Sequence, residues 1–117
     1  MIHRLVAAFL LLCLTAAPAA ADDWLGADKA AHFGFSAAFA AAATTAIPLV
    51  GGPGPDWRSF ALGASIGFVP GLAKEGWDLS GHGDASWRDL AWDAAGALAG
   101  AGLVWAVQAL VTPGHAR

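Results

Sequence analysis

Gly63-Ala64-Ser65-Ile66-Gly67-Phe68-Val69-Pro70-Gly71-Leu72-Ala73-Lys74-Glu75-Gly76-Trp77-Asp78 carries glycines at four-residue spacing and then, on the same register, two carboxylates. Steps of three and four residues return to one face of an α-helix, so Gly67, Gly71, Glu75 and Asp78 line a single stripe. Small residues so placed let two helix backbones approach closely. The stretch therefore predicts a helix packed tightly along most of its length, with charge entering the seam at its C-terminal end.

The flanking segments share this plan. Downstream, Gly100 and Gly96 lead backwards along one face to Asp93 and Asp89, and upstream Asp28, His32 and Ser36 align, with Ala43 further along. None of the three segments alternates with period two, and each is rich in Ala, Leu, Val and Phe, which selects helix over strand. The expected helices run over about 28–47, 58–78 and 87–111. Pro48 and the run Gly51-Gly52-Pro53-Gly54-Pro55 break the first from the second, and Leu79-Ser80-Gly81-His82-Gly83-Asp84 breaks the second from the third. Asp28 falls in a first turn, where negative charge is favoured, and Ser86-x-x-Asp89 has the form of a capping box. The fold expected is all-α, a small Ala/Gly-rich three-helix bundle.

Residues 1–21 read as a secretory signal peptide. His3 and Arg4 form its n-region, Val6 to Leu14 its apolar stretch, and Ala19-x-Ala21 its small-residue cleavage site. Residues 22–117 then form a single helical domain. Cys13, the only cysteine, lies inside the apolar stretch, with Leu12 before it where a lipidation site needs a small residue, so thiol and disulfide chemistry are not expected. The chain is acidic, with a formal net charge of −3 and no basic block, which argues against a nucleic-acid partner. At 57% apolar and 13% charged residues, with mean hydropathy +0.56, its apolar fraction is high for a soluble domain, where roughly half is usual, and membrane association becomes the leading expectation. The partners expected are a membrane lipid or other envelope component, or a second membrane protein packed on the Gly faces.

Release of residue 22 outside the inner membrane would put all three polar clusters on the outer, periplasmic side. Trp24, Trp77, Trp87 and Trp92 then fall at that end, as an interfacial aromatic belt requires, and Arg58 and Arg117 face inward. Ala30 to Val50 is long enough to cross a bilayer and Ala94 to Val111 is borderline. The apolar part of the second segment, Phe60 to Ala73, falls short of the roughly 20 residues a crossing needs and contains Pro70. A domain lying on the membrane, or in the periplasm, stays open as an alternative.

Three readings of the converging charges are open. In the first, Lys29, Lys74 and Arg88 pair with Asp28, Glu75, Asp78, Asp89 and Asp93, and the cluster is a lock that fixes helix register. In the second it is a binding or catalytic site. His32 would be the general acid/base oriented by Asp93 or Asp89, with Glu75 and Asp78 handling further protons and the cations holding an anionic headgroup. In the third a metal ion is held by His32 with Glu75, Asp78 or Asp93, ligand types that suit a metal although no recognised spacing is present. No organic cofactor is called for. His82 and His115 sit in a Gly-rich loop and in the tail, where solvation is the simpler expectation.

The ordered set Trp24-x-Gly26-x-Asp28-Lys29-Ala30-x-His32-Phe33, Gly63-Ala64-Ser65, Lys74-Glu75-x-Trp77-Asp78 and Ser86-Trp87-x-Asp89-Leu90-Ala91-Trp92-Asp93-x-Ala95-Gly96 resembles the YfiM-like family of bacterial periplasmic lipoproteins. A looser similarity, through Asp28-Lys29-x-x-His32, a later Glu and a final Asp-x-x-Gly helix, extends to the VanZ-like membrane proteins. The resemblance implies an exported cell-envelope protein whose motif residues are Asp28, Lys29, His32, Lys74, Glu75, Asp78, Asp89 and Asp93. It supplies no activity.

Overall fold

The computed structural model describes residues 23–112, together with Arg4. The rest of the expected signal segment, with Cys13 and the cleavage site, and the tail bearing His115 and Arg117 lie outside the described residues. Three helices account for the bundle: α1 (Ala27–Leu49), α2 (Trp57–Trp77) and α3 (Trp87–Val111), with no strand among the described residues. Each bound lies within two residues of the sequence expectation. The small shift at the end of α1 arises because Pro48 is accommodated in the last turn instead of stopping the helix before it.

The start of α2 is set by a signal overlooked in the sequence. Asp56 caps it, its carboxylate accepting from the N–H groups of Arg58 (2.8 Å) and Ser59 (3.4 Å), while Ser59 Oγ accepts from the N–H of Asp56 (3.2 Å). Asp56-x-x-Ser59 is therefore a reciprocal capping box with Ser at its third position. Two hydrogen bonds from the Arg58 guanidinium to the one oxygen Oδ2 (2.9 and 2.7 Å) hold the Asp56 carboxyl below the usual carboxylate range. At the other end α2 loosens into a π-helical turn, Asp78–His82. Gly81 closes it at φ 100°, a left-handed conformation that glycine adopts without a Cβ penalty.

Glycines set the helix contacts. A Cβ on Gly63 would strike Thr44, and one on Gly67 the backbone of Ala40, so α2 lies directly on α1. A Cβ on Gly96 or Gly100 would strike the carbonyls of Phe33 or Ala37, so α3 approaches the α1 backbone just as closely. The buried face of α1 continues from Ser36 through Ala40 and Thr44, in place of the expected Ala43. Four-residue spacing carries it there.

What this packing buries is small or polar. The buried apolar residues are Ala40, Ala64, Leu90, Ala97 and Ala101, whereas the largest fully buried side chains are Glu75, Thr44, Ser36 and Ser59. The large apolar side chains point outward: Phe35 is 60% exposed, Leu103 66% and Leu110 81%, in company with Phe39, Leu62, Ile66, Val69, Leu98 and Val107. A soluble domain buries such residues. Helices α1 and α3 are long and apolar enough to cross a membrane, and only 17% and 22% of their apolar windows are buried inside the bundle.

Candidate functional site

All three polar clusters meet at the end of the bundle where α1 begins, α2 ends and α3 begins. They form two networks. The first joins α1 to α3 around His32. Its Nδ1 lies 3.0 Å from Asp93 Oδ1, and its Nε2 lies 3.3 Å from Asp89 Oδ2 and 3.7 Å from Asp28 Oδ1. Ser36 Oγ donates to the same Asp93 Oδ1 at 3.0 Å. Lys29, 4% exposed, donates to Asp89 Oδ1 in a short buried ion pair and to Asp28 Oδ2 at 3.2 Å. Each of Asp28 and Asp89 therefore gives one oxygen to Lys29 and turns the other toward His32 Nε2.

The second network joins α2 to the start of α3. Glu75, 1% exposed, accepts the Ser86 N–H at 2.5 Å through Oε2, and its Oε1 faces Lys74 Nζ at 3.6 Å. Lys74 also donates to Asp78 at 2.8 Å.

One sequence expectation is revised here. The Ser86-x-x-Asp89 box is only half closed: Ser86 Oγ accepts the Asp89 N–H at 3.2 Å, but the Ser86 N–H goes to Glu75 of α2. Glu75 takes the return bond of the box, which leaves the Asp89 carboxylate for Lys29 and His32. Asp78, still in α-helical conformation at the end of α2, pairs with Lys74 one turn back on its own helix and lies against the Gly83 loop. Of the residues grouped with His32 for catalysis or metal ligation, Asp93 is in contact with it, whereas the contacts of Glu75 and Asp78 run to Lys74 and Ser86.

Arg88 lies with its guanidinium 5.4 Å from the Trp24 ring centre and 5.7 Å from that of Trp87. Trp92 Nε1 ties the chain before α1 to α3 by donating to the Trp24 carbonyl at 2.7 Å. His82 stacks on Trp77 with ring centres 3.8 Å apart and takes no part in the site.

A cleft of about 270 Å³ opens beside His32, lined by Asp28, His32, Lys74 and Asp93 on its polar side and by Ala31, Phe35, Pro70 and Gly71 on its apolar side. Asp93 is 2% exposed, and its Oδ2, set against Gly71 where a side chain would collide with it, has no hydrogen-bond partner among the described residues. A buried carboxylate oxygen without a donor is costly. Its neighbour His32 has both ring nitrogens facing carboxylates.

Comparison of the chain with protein-family models, with curated proteins and with solved structures returns no match.

Proposed function

We propose that this chain is a small membrane-embedded protein of the bacterial cell envelope that holds a lipid-like envelope component in the cleft at the polar end of its bundle. The observation that carries the reading is the inverted burial: Glu75, Asp89 and Asp93 inside, and Phe35, Leu103 and Leu110 outside. A contiguous apolar exterior around a polar interior suits a hydrocarbon solvent. The dimensions agree. From Lys29 to Leu49 in α1, and from Leu90 to Leu110 in α3, the rise of a helix gives about 30 Å, the thickness of a bilayer core. Trp24, Trp77, Trp87 and Trp92 mark the polar end, and Trp57 begins α2 at the other.

The cleft supports the ligand class. Its wall of Ala31, Phe35 and Pro70 suits the first carbons of an acyl chain, Lys74 suits a phosphate, and the unpartnered Asp93 Oδ2 calls for a hydrogen-bond donor on the headgroup. A periplasmic face for this end follows from the expected signal peptide, and membership of the YfiM-like family is part of the same proposal. Catalysis by His32 is the second reading, favoured by the 3.0 Å contact that would orient it on Asp93. Against it, Nε2 faces Asp89 and Asp28 and is not presented to a substrate.

The full chain purified from membranes in mild detergent should carry lipid at about one molecule per chain by native mass spectrometry. Lys74→Glu should lose it while remaining folded by circular dichroism. Equal lipid retention in the two proteins would overturn the binding site. Release of the wild-type chain from membranes by alkaline carbonate would overturn embedding itself.

A further inference from the structure

We infer that residues 5–21 remain on the chain and pack as a fourth helix into the outer groove between α1 and α3. A second cleft, of about 310 Å³, opens there at the polar end, lined by Leu25, Gly26, Lys29, Ala30, Phe33 and Trp92. These residues belong to α1, to α3 or to the turn before α1, so the cleft lies on the side of the seam away from α2. The Lys29 ammonium is turned to Asp28 and Asp89, which leaves the lining apolar. Helical spacing continues the groove down the bundle along Ala30 and Gly34 of α1 and Ala95 and Ala99 of α3, all exposed. Gly34 differs from the packing glycines. A Cβ there meets nothing within 4 Å, so no contact inside the bundle accounts for its missing side chain.

The length of the preceding chain, and the place where it joins the bundle, select the occupant. Between Arg4 and Asp22 the sequence carries no charge for 17 residues. A cleavable signal needs an apolar stretch of only about 7–15, whereas about 17–25 suit a membrane crossing. Arg4, at the head of this run, is helical. Only residues 22–26 separate the run from α1, and so short a connection makes consecutive helices antiparallel neighbours. Trp24 fixes where that connection lies: its carbonyl accepts Trp92 Nε1 at 2.7 Å, and its ring meets Trp87 edge-on with centres 4.6 Å apart. The segment is thus delivered to the α1–α3 side of the polar end, beside the cleft that Leu25 and Gly26 line.

Shape and orientation agree. Phe9, Leu10, Leu11, Leu12 and Leu14 supply bulk to a groove walled by alanine and glycine, and Leu25, 77% exposed at its mouth, gains a cover. The inference rests on the membrane embedding proposed above and keeps its orientation. Arg4 falls at the inward end of the bundle with Arg58, as the positive-inside rule favours. The segment still directs export, as a signal that is not removed, and Ala19-x-Ala21 ends a helix in place of marking a cleavage site.

Cys13, the only cysteine, is the probe. Antiparallel to α1 it lies nine residues, about 14 Å, from Asp22, close to the depth of Ala95 and Ala99 on α3 and of Val69 on α2. In membranes oxidised with copper phenanthroline, Ala95→Cys or Ala99→Cys should join Cys13 within one chain and lose most of its maleimide-reactive thiols, since a disulfide needs Cα atoms within about 7 Å. Val69→Cys, exposed on α2, should keep its thiols. The intact mass of the wild type from membranes should be that of the whole 11.8 kDa chain. A chain beginning at Asp22 would overturn the inference, and so would free thiols in both groove variants. Cross-linked dimers would give the groove to a second copy and overturn it too. Alkaline carbonate reads embedding separately: an embedded chain without the cross-link overturns the fourth helix alone.

Discussion

The two ends of the bundle bury polar groups in opposite ways. At the end where α1 meets α2 through the loop, polar side chains are satisfied locally: Thr44 Oγ1 donates to the Ala40 carbonyl one turn back, and Asp56, Arg58 and Ser59 close on one another within a single turn. At the other end every important bond crosses between helices, Lys29 to Asp89, His32 to Asp93 and Glu75 to Ser86. Local bonds start or steady a helix but are indifferent to its neighbours. Crossing bonds between buried charges hold only in one register, so this end sets how the helices are placed. It is also the end with the cleft.

Four substitutions would break or sharpen that contrast. Asp93→Ala should have the largest effect, removing the acceptor shared by His32 and Ser36, with a loss of about 3–5 kcal/mol in chemical denaturation because a buried charged partner is stranded. A loss under about 1 kcal/mol would mean that the crossing bonds do not hold the polar end. Gly100→Ala comes next. Its Cβ would run into the Ala37 carbonyl, and separating α1 from α3 should cost about 1–3 kcal/mol, read as a lower melting temperature.

Asp56→Ala should cost less, and its cost should depend on pH in the sense set by a depressed carboxyl. The cap contributes fully above the ordinary value near 3.8 and is lost as pH falls through the lower value in the folded state. The melting temperatures of variant and wild type should therefore converge in strong acid. Glu75→Gln should have the smallest effect. Glutamine keeps an oxygen for the Ser86 N–H, so the variant should stay within about 1 kcal/mol of wild type in chemical denaturation. A loss above about 3 kcal/mol would show that the charge of Glu75 facing Lys74 itself holds the polar end.

Much of this was legible in the chain itself. Four-residue glycine spacing identified the packing faces of α2 and α3, and Pro/Gly clusters separated the helices. The stripes from Gly71 to Glu75, and from Gly96 to Asp93 and Asp89, carried acid into the seams. The cap at Asp56 could have been read as well, since its acceptor and its returning hydroxyl are three residues apart. So could the pairing of Lys74 with Asp78, four residues apart on one helix.

The sequence by itself determined three helices, their apolar exteriors, and the gathering of Asp28, Lys29, His32, Glu75, Asp89 and Asp93 at one end, because period and length fix which residues share a face and which share an end. Only the tertiary structure decided the partners. Spacing sets a side chain's direction on its own helix and says nothing of how far a neighbouring helix is turned or slid. A difference of a few ångströms separates hydrogen bonding from mere proximity. The return bond to Ser86 thus falls to Glu75 of α2, which leaves Asp89 to Lys29 and His32, and Asp28 joins them.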